Sequence, residues 1–116
     1  MKIERTFRAT IHVGLQEGYD QYRIHDLEEV YQICQEFVKE TPSCVSVTPT
    51  QYVYVDGQEP GAIVEFIQYP RFPTDENMIL HRALTLAHLL MERFKQQKVC
   101  VITPTFTYMI TPDYEF

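Results

Sequence analysis

Apolar and polar residues alternate from Thr6 to Leu15, with Phe7, Ala9, Ile11, Val13 and Leu15 on one side and Arg8, Thr10 and His12 on the other. A period of two is the signature of a strand with one buried face. Gly14 to His25 breaks the alternation with two glycines and mixed polar residues, and reads as a long loop, either a surface connection or a functional segment. From Asp26 the period changes to helical, with Leu27, Val30, Tyr31, Cys34, Phe37 and Val38 on one stripe. Asp26 as N-cap with Glu29 three residues on marks the start, and Thr41-Pro42 the end, because proline cannot continue a helix.

A second strand runs from Cys44 to about Val55 with Pro49 inside it, which implies a sheet edge or a bulge, since proline donates nothing to a ladder. Turn formers from Asp56 to Gly61 separate it from a third strand, Ala62 to Tyr69. Pro70-Arg71-Phe72-Pro73 is held extended by its prolines, and Thr74-Asp75-Glu76 caps a second helix reaching about Lys95. Its buried stripe is Ile79, Ala83, Leu86, Ala87, Leu90 and Phe94, widened by Leu84 and Met91. A fourth strand covers about Lys98 to Thr103, and Phe106 to Ile110 continues as extended chain or a short further strand.

The order β-α-β-β-α-β predicts an α+β fold of the ferredoxin-like class in one domain over residues 1–116, with four antiparallel strands in the order 4-1-3-2, both helices on one face and an extended hairpin of strands 2 and 3. Strands 2 and 4 would be the edges, where Pro49 and Pro104 are tolerated. With Ala62, Val64 and Phe66 toward the helices, Ile63, Glu65, Ile67 and Tyr69 occupy the other face, which is too apolar for water. A covering layer is expected there, either another copy of the chain or the segment Phe106 to Phe116 folded back.

Composition narrows the function classes. With 116 residues, 45% of them hydrophobic, the chain suffices for one core. Sixteen acidic against ten basic residues give a net charge of −6, which argues against nucleic-acid binding. The N-terminus lacks an apolar signal core and no run is long enough to span a bilayer, so a cytoplasmic protein without membrane contact is expected. Cys34, Cys44 and Cys100 lack the C-x-x-C spacing of a zinc or redox site and are expected to be reduced.

Candidate chemistry falls in two places. Arg8 and His12 on the first strand share a face with Glu65 on the third, a cation, a histidine and a carboxylate able to bind an anionic ligand or move a proton, or to form an ion-pair network at an interface. Tyr69 and Arg71 stand at the mouth of the second helix, where cation and helix N-terminus both favour an anion; a rigid connector with Phe72 packed in the core is the alternative. His81 and His88 are about 10 Å apart along their helix and cannot share a metal. Gly14 to Gly18 has no lysine and no following helix, so it is no phosphate loop, and Cys44 has no base partner in sequence that would make it a nucleophile.

Cys44-Val45-x-Val47-x-Pro49, followed by Tyr52, Tyr54, Gly57 and Glu59, resembles the corresponding stretch of CutA-type proteins, relatives of the PII signalling proteins, and Pro112-Asp113-Tyr114 echoes the end of that family. The chain departs from it in having no Trp, a longer first loop and no segment before strand 4. The resemblance implies a homo-oligomer, a trimer, with long hairpins packed between subunits, ligand sites in the clefts, and a divalent metal with Cys44 at the position of a strand-2 cysteine. The expectation is thus a small oligomeric binding or regulatory protein holding a small anionic ligand or divalent metal between subunits. Alternatives are a small oligomeric enzyme, an isomerase or a hydrolase, using His12 with Glu65, and a protein–protein adaptor.

Overall fold

The computed structural model describes residues 1–3, 5–18, 22–68 and 74–112. Its elements are β1 (Arg8–Gly14), α1 (Leu27–Glu40), β2 (Val45–Tyr54), β3 (Gly57–Ile67), α2 (Glu76–Arg93), β4 (Val99–Ile102) and β5 (Thr107–Ile110). The fold is α+β, a single antiparallel sheet in the order β2-β3-β1-β4-β5 with two helices.

The helices begin where the sequence places them. Asp26 caps α1 by accepting from the backbone N–H of Glu29 at 3.0 Å, and Asp75 caps α2 by accepting from Met78 at 2.8 Å. The core is one cluster in which Val30, Ile33 and Cys34 of α1 and Ile79, Ala83, Leu86, Ala87, Leu90 and Met91 of α2 meet Ala9, Ile11 and Val13 of β1, Ala62, Val64 and Phe66 of β3, and Val99 and Val101 of β4. Ile33 takes the place expected of Tyr31, which is exposed. Burial raises the Cys34 thiol to about 11, so it remains a small apolar filler.

Two expectations change. The sheet has five strands rather than four: Thr103 accepts from the N–H of Phe106 through its hydroxyl and donates its own N–H to the Phe106 carbonyl, closing a tight turn that sends Thr107–Ile110 straight back along β4. Pro104 therefore lies in a turn and β4 is internal, whereas Pro49 does occupy an edge strand. The hairpin is also longer than expected. Only Val55 and Asp56 turn the chain, and the β2–β3 ladder runs unbroken from Val45 opposite Phe66 to Tyr54 opposite Gly57. Because β1 pairs with β3 only up to Gly14 opposite Gly61, the hairpin beyond that point projects as a two-stranded arm in which Pro60 interrupts no neighbouring strand.

The second face of the sheet carries Ile63, Glu65 and Ile67 of β3 and Arg8, Thr10 and His12 of β1, and the helix-side cluster includes none of them. No helix among the described residues is long and apolar enough to cross a membrane.

Candidate functional site

Near the base of the arm, Gly14 of β1 stands opposite Gly61 of β3. A β-carbon on Gly61 would overlap the Tyr52 ring and lie 2.8 Å from the Val13 carbonyl, so glycine is what lets Tyr52 lie flat across the strand. Tyr52 starts on β2 opposite Glu59 and crosses β3 until its hydroxyl is 3.1 Å from Nδ1 of His12 on β1. The two rings are 6.0 Å apart. Cys100 of β4 is the register partner of His12 on the other side. Glu59 Oε2 and Gln96 Oε1 converge on Gly14, 3.3 Å and 2.7 Å from where its β-carbon would stand.

Three groups in this cluster titrate away from their ordinary values. Burial pulls His12 down, so the imidazole is neutral at neutral pH. The Tyr52 phenol is pushed up to about 12, first by burial and then by the negative charge of Glu59 and of a Cys100 thiolate. Burial also raises Glu59. A neutral imidazole in contact with a protonated phenol can take or relay a proton, and the adjoining carboxylate can hold a cation. Shifted groups of this kind gathered on one sheet face are a physical mark of a functional site.

Gln96 is placed by the end of α2. Lys95 turns left-handed, with φ of 51°, and the N–H groups of Lys95 and Gln96 close back on the carbonyls of Glu92 and Met91. This is the Schellman arrangement, with lysine where glycine is usual. It aims the buried Gln96 side chain at β1, where Nε2 donates to the Gln16 carbonyl at 2.7 Å and to the Phe94 carbonyl at 3.1 Å. Both amide hydrogens are thereby used, which turns Oε1 toward Gly14 as an acceptor.

The flanking loop is closed on itself. Leu15 donates to Pro60, His25 to Leu15 and Glu17 to Arg23 through the backbone, and Gln16 bridges Ile24. His25 sits between two carboxylates, with Nε2 2.8 Å from Glu17 and Nδ1 2.8 Å from Glu29, and packs on Phe94 at 4.8 Å.

The residues singled out from sequence are only partly brought together. Arg8 and Glu65 form an ion pair at 3.5 Å that is largely open to solvent. His12 lies on the same face but does not pair with Glu65: the register puts Glu65 opposite Thr10 and His12 opposite Ile63, and the ring turns to Tyr52 instead. Tyr69 and Arg71 lie outside the described residues. Cys44 is exposed and borders a cavity of about 320 Å³ at the other end of β3, together with Pro42, Phe66, Gln68, Ile79 and Arg82. The Arg82 guanidinium there already donates to the Pro42 carbonyl at 3.3 Å. Among the described residues no three His, Cys, Asp or Glu side chains are grouped as a metal ion would need.

Tyr52, Glu59 and Gln96 had escaped the chemical reading, and Cys100 had been read only as a reduced thiol. The signal for the first two is slight: the turn is confined to Val55 and Asp56, which makes Tyr52 and Glu59 register partners on the face of His12, whereas a turn at Asp56-Gly57 would set Tyr52 opposite Gly61. Gln96 has no such signal, because its role comes from a helix end meeting a distant strand.

No family model and no curated protein matches the sequence. Solved structures do match over the whole of both chains. One is a phage SAM lyase in complex with S-methyl-5'-thioadenosine, at a TM-score of 0.79 and 21% identity. Another is a phage SAM lyase in its apo state, at 0.74 and 22%. At such identity the likeness establishes the fold. The expectation of a binding or regulatory protein for a small anion or a metal is overturned by these matches, since both matched chains are SAM lyases aligned end to end with this one. They favour the enzyme alternative. Both are SAM lyases rather than CutA or PII proteins, so the CutA likeness rests on the hairpin residues alone.

Proposed function

We propose that this chain is a lyase acting on S-adenosylmethionine or a close sulfonium relative, releasing an adenosyl thioether. The observation that carries the reading is the full-length structural match to a phage SAM lyase holding S-methyl-5'-thioadenosine. The cluster of His12, Tyr52 and Glu59 supports it by supplying shifted groups close together on one sheet face.

The chemistry asks little of a protein of this size. The carbon–sulfur bond breaks, its electron pair stays on sulfur, and the sulfonium becomes a neutral thioether. No water enters the balance. The carbon fragment is completed either by its own carboxylate or by loss of a proton from the adjacent carbon, and in the second case the neutral imidazole of His12 beside Tyr52 is placed to receive that proton. Glu59 contributes negative potential beside the cationic ground state.

The test is incubation of the purified chain with S-adenosylmethionine in ¹⁸O-labelled water, with products followed by mass spectrometry. S-methyl-5'-thioadenosine is expected, with no label in the earliest carbon product. Immediate label would make the chain a hydrolase, and thioether no faster than the protein-free control would overturn the reading.

The proposal includes a ferredoxin-like β2-β3-β1-β4 core extended by β5, and self-association through the helix-free face. Ile63 and Ile67 there, with the exposed Ile102 and Met109 beside them, support the association. Sedimentation at micromolar concentration is expected to give a homo-oligomer, and a monomer would refute that part.

A further inference from the structure

At the end of β3 away from the Tyr52 cluster, a cavity of about 320 Å³ opens between the chain leaving α1 and the first turns of α2. Phe66 in its wall is five residue steps from Gly61, about 17 Å along the strand, so the cavity is separate from the cluster around His12. The walls are mostly apolar, with Phe66 and Ile79 buried and Ile67 half-buried.

One charge stands among them. Arg82 is half-buried, and its contacts are the Pro42 carbonyl at 3.3 Å and the Ser43 hydroxyl at 3.5 Å, both made by Nη1. Neither acceptor is charged. Among the described residues no carboxylate pairs with this guanidinium, and the hydrogens on Nε and Nη2 have no acceptor. A partly desolvated cation without a counter-charge favours an anion, and the planar guanidinium can take a carboxylate through two parallel hydrogen bonds.

The rest of the lining narrows the anion. The Gln68 amide is pinned by Nε2, which donates to the Thr74 carbonyl at 2.7 Å, and its Oε1 is enclosed, so it sets no accessible acceptor against a negative group. Asp75 and Glu76 follow Thr74 at the start of α2 and oppose a dianion such as phosphate. Apolar walls favour an apolar body on the ligand. At about 30 Å³ for each water-sized group, the volume holds roughly ten non-hydrogen atoms.

We propose that this cavity binds a small monocarboxylate with an apolar body, the carboxylate on Arg82 and the body against Phe66, Ile67 and Ile79. The site does not rest on the lyase reading. Cys44, exposed at the rim of the cavity, is a local reporter of its occupancy.

The experiment compares phenylacetate, which has this size and charge, with phenylacetamide, its neutral isostere, by NMR titration of the intact protein. Wild type is expected to bind the acid about tenfold more tightly, the size of charge-assisted hydrogen bonds at a half-buried cation. In Arg82→Gln, which gives up two long contacts to neutral acceptors, the ratio is expected to fall close to one. Position is read without a variant: saturating phenylacetate is expected to slow alkylation of Cys44 by iodoacetamide severalfold and to leave Cys100 unchanged, as followed by peptide mass spectrometry. No measurable binding of the acid, binding no tighter than that of the amide, a ratio unchanged in Arg82→Gln, or an unprotected Cys44 would each overturn the site. Thioether formation from S-adenosylmethionine tests the lyase reading separately, so either can fail while the other stands.

Discussion

Two histidine–carboxylate neighbourhoods lie close together in this chain and are opposite in character. His25 has a carboxylate on each ring nitrogen, and its contact holds the Glu17 carboxyl below the usual carboxylate range. His12 has one neutral partner, Tyr52, and the nearby Glu59 is held above that range by burial without compensation. The first is satisfied and closes a loop. The second is left unsatisfied, and groups that fold tolerates in that state are the ones a ligand can use.

The comparison breaks most sharply on activity. Tyr52→Phe keeps the ring over Gly61 and loses only the hydroxyl, so turnover of S-adenosylmethionine is expected to drop by roughly 10² or more, the weight of a proton-handling group, with a small change in Tm. His25→Ala is expected to do the reverse, lowering Tm more than Tyr52→Phe does while turnover changes much less. If the two variants behave alike, the distinction between clasp and site is lost.

The pH dependence of turnover comes next in size. Because His12 is pulled down by burial, it stays neutral as pH falls through the ordinary histidine range, and activity is expected to persist below about pH 6.5 before it fails. A profile falling at the ordinary histidine value would remove His12 from the chemistry.

The two carboxylates then separate by the sign of their effect on stability. Glu17 has a lowered folded value, so its contribution is present above the ordinary carboxylate value and is lost as pH falls through the folded one. Glu59 has a raised folded value, so the unfolded chain releases its proton first and stability is lost as pH rises through the folded value. Glu17→Gln is therefore expected to lower Tm at neutral pH, and Glu59→Gln to raise it. The Glu59 difference should vanish in melts below about pH 4, whereas the Glu17 difference should persist until pH falls through its lowered folded value.

The smallest effect is expected at the helix end that aims Gln96. Lys95 adopts a left-handed conformation that glycine takes without strain. Lys95→Gly should stabilise by about 1 kcal/mol in denaturant melts if the Schellman turn is as described.

Much of the architecture was legible in the chain. The period-two runs at Phe7 to Leu15 and Ala62 to Phe66 and the stripe from Ile79 to Phe94 emerged as the core, because solvent exclusion acts on the same alternation that a reader counts. Asp26 and Asp75 were legible as caps, since a cap depends on residues three positions away. Less local features were left open, as at Phe106 to Ile110, read as extended chain or a short further strand, or misjudged in length. The fifth strand depends on how Thr103 closes on Phe106, and the added length of the hairpin on Pro60 falling beyond the end of β1.

The site was the least legible part. Arg8, His12 and Glu65 were rightly assigned to one face, yet the pairing that matters crosses from β2 over a glycine of β3 to β1. Sequence by itself determined which residues face the core, where the helices begin and that the second sheet face carries histidine beside aliphatic groups. Only the tertiary structure decided that Tyr52 reaches His12, and that a helix end brings Gln96 against Gly14 facing Glu59. Burial pattern and capping are set by neighbours within a few residues. The meeting of four strands and a helix terminus is set by register, by twist and by two missing side chains, none of which leaves a period in the chain.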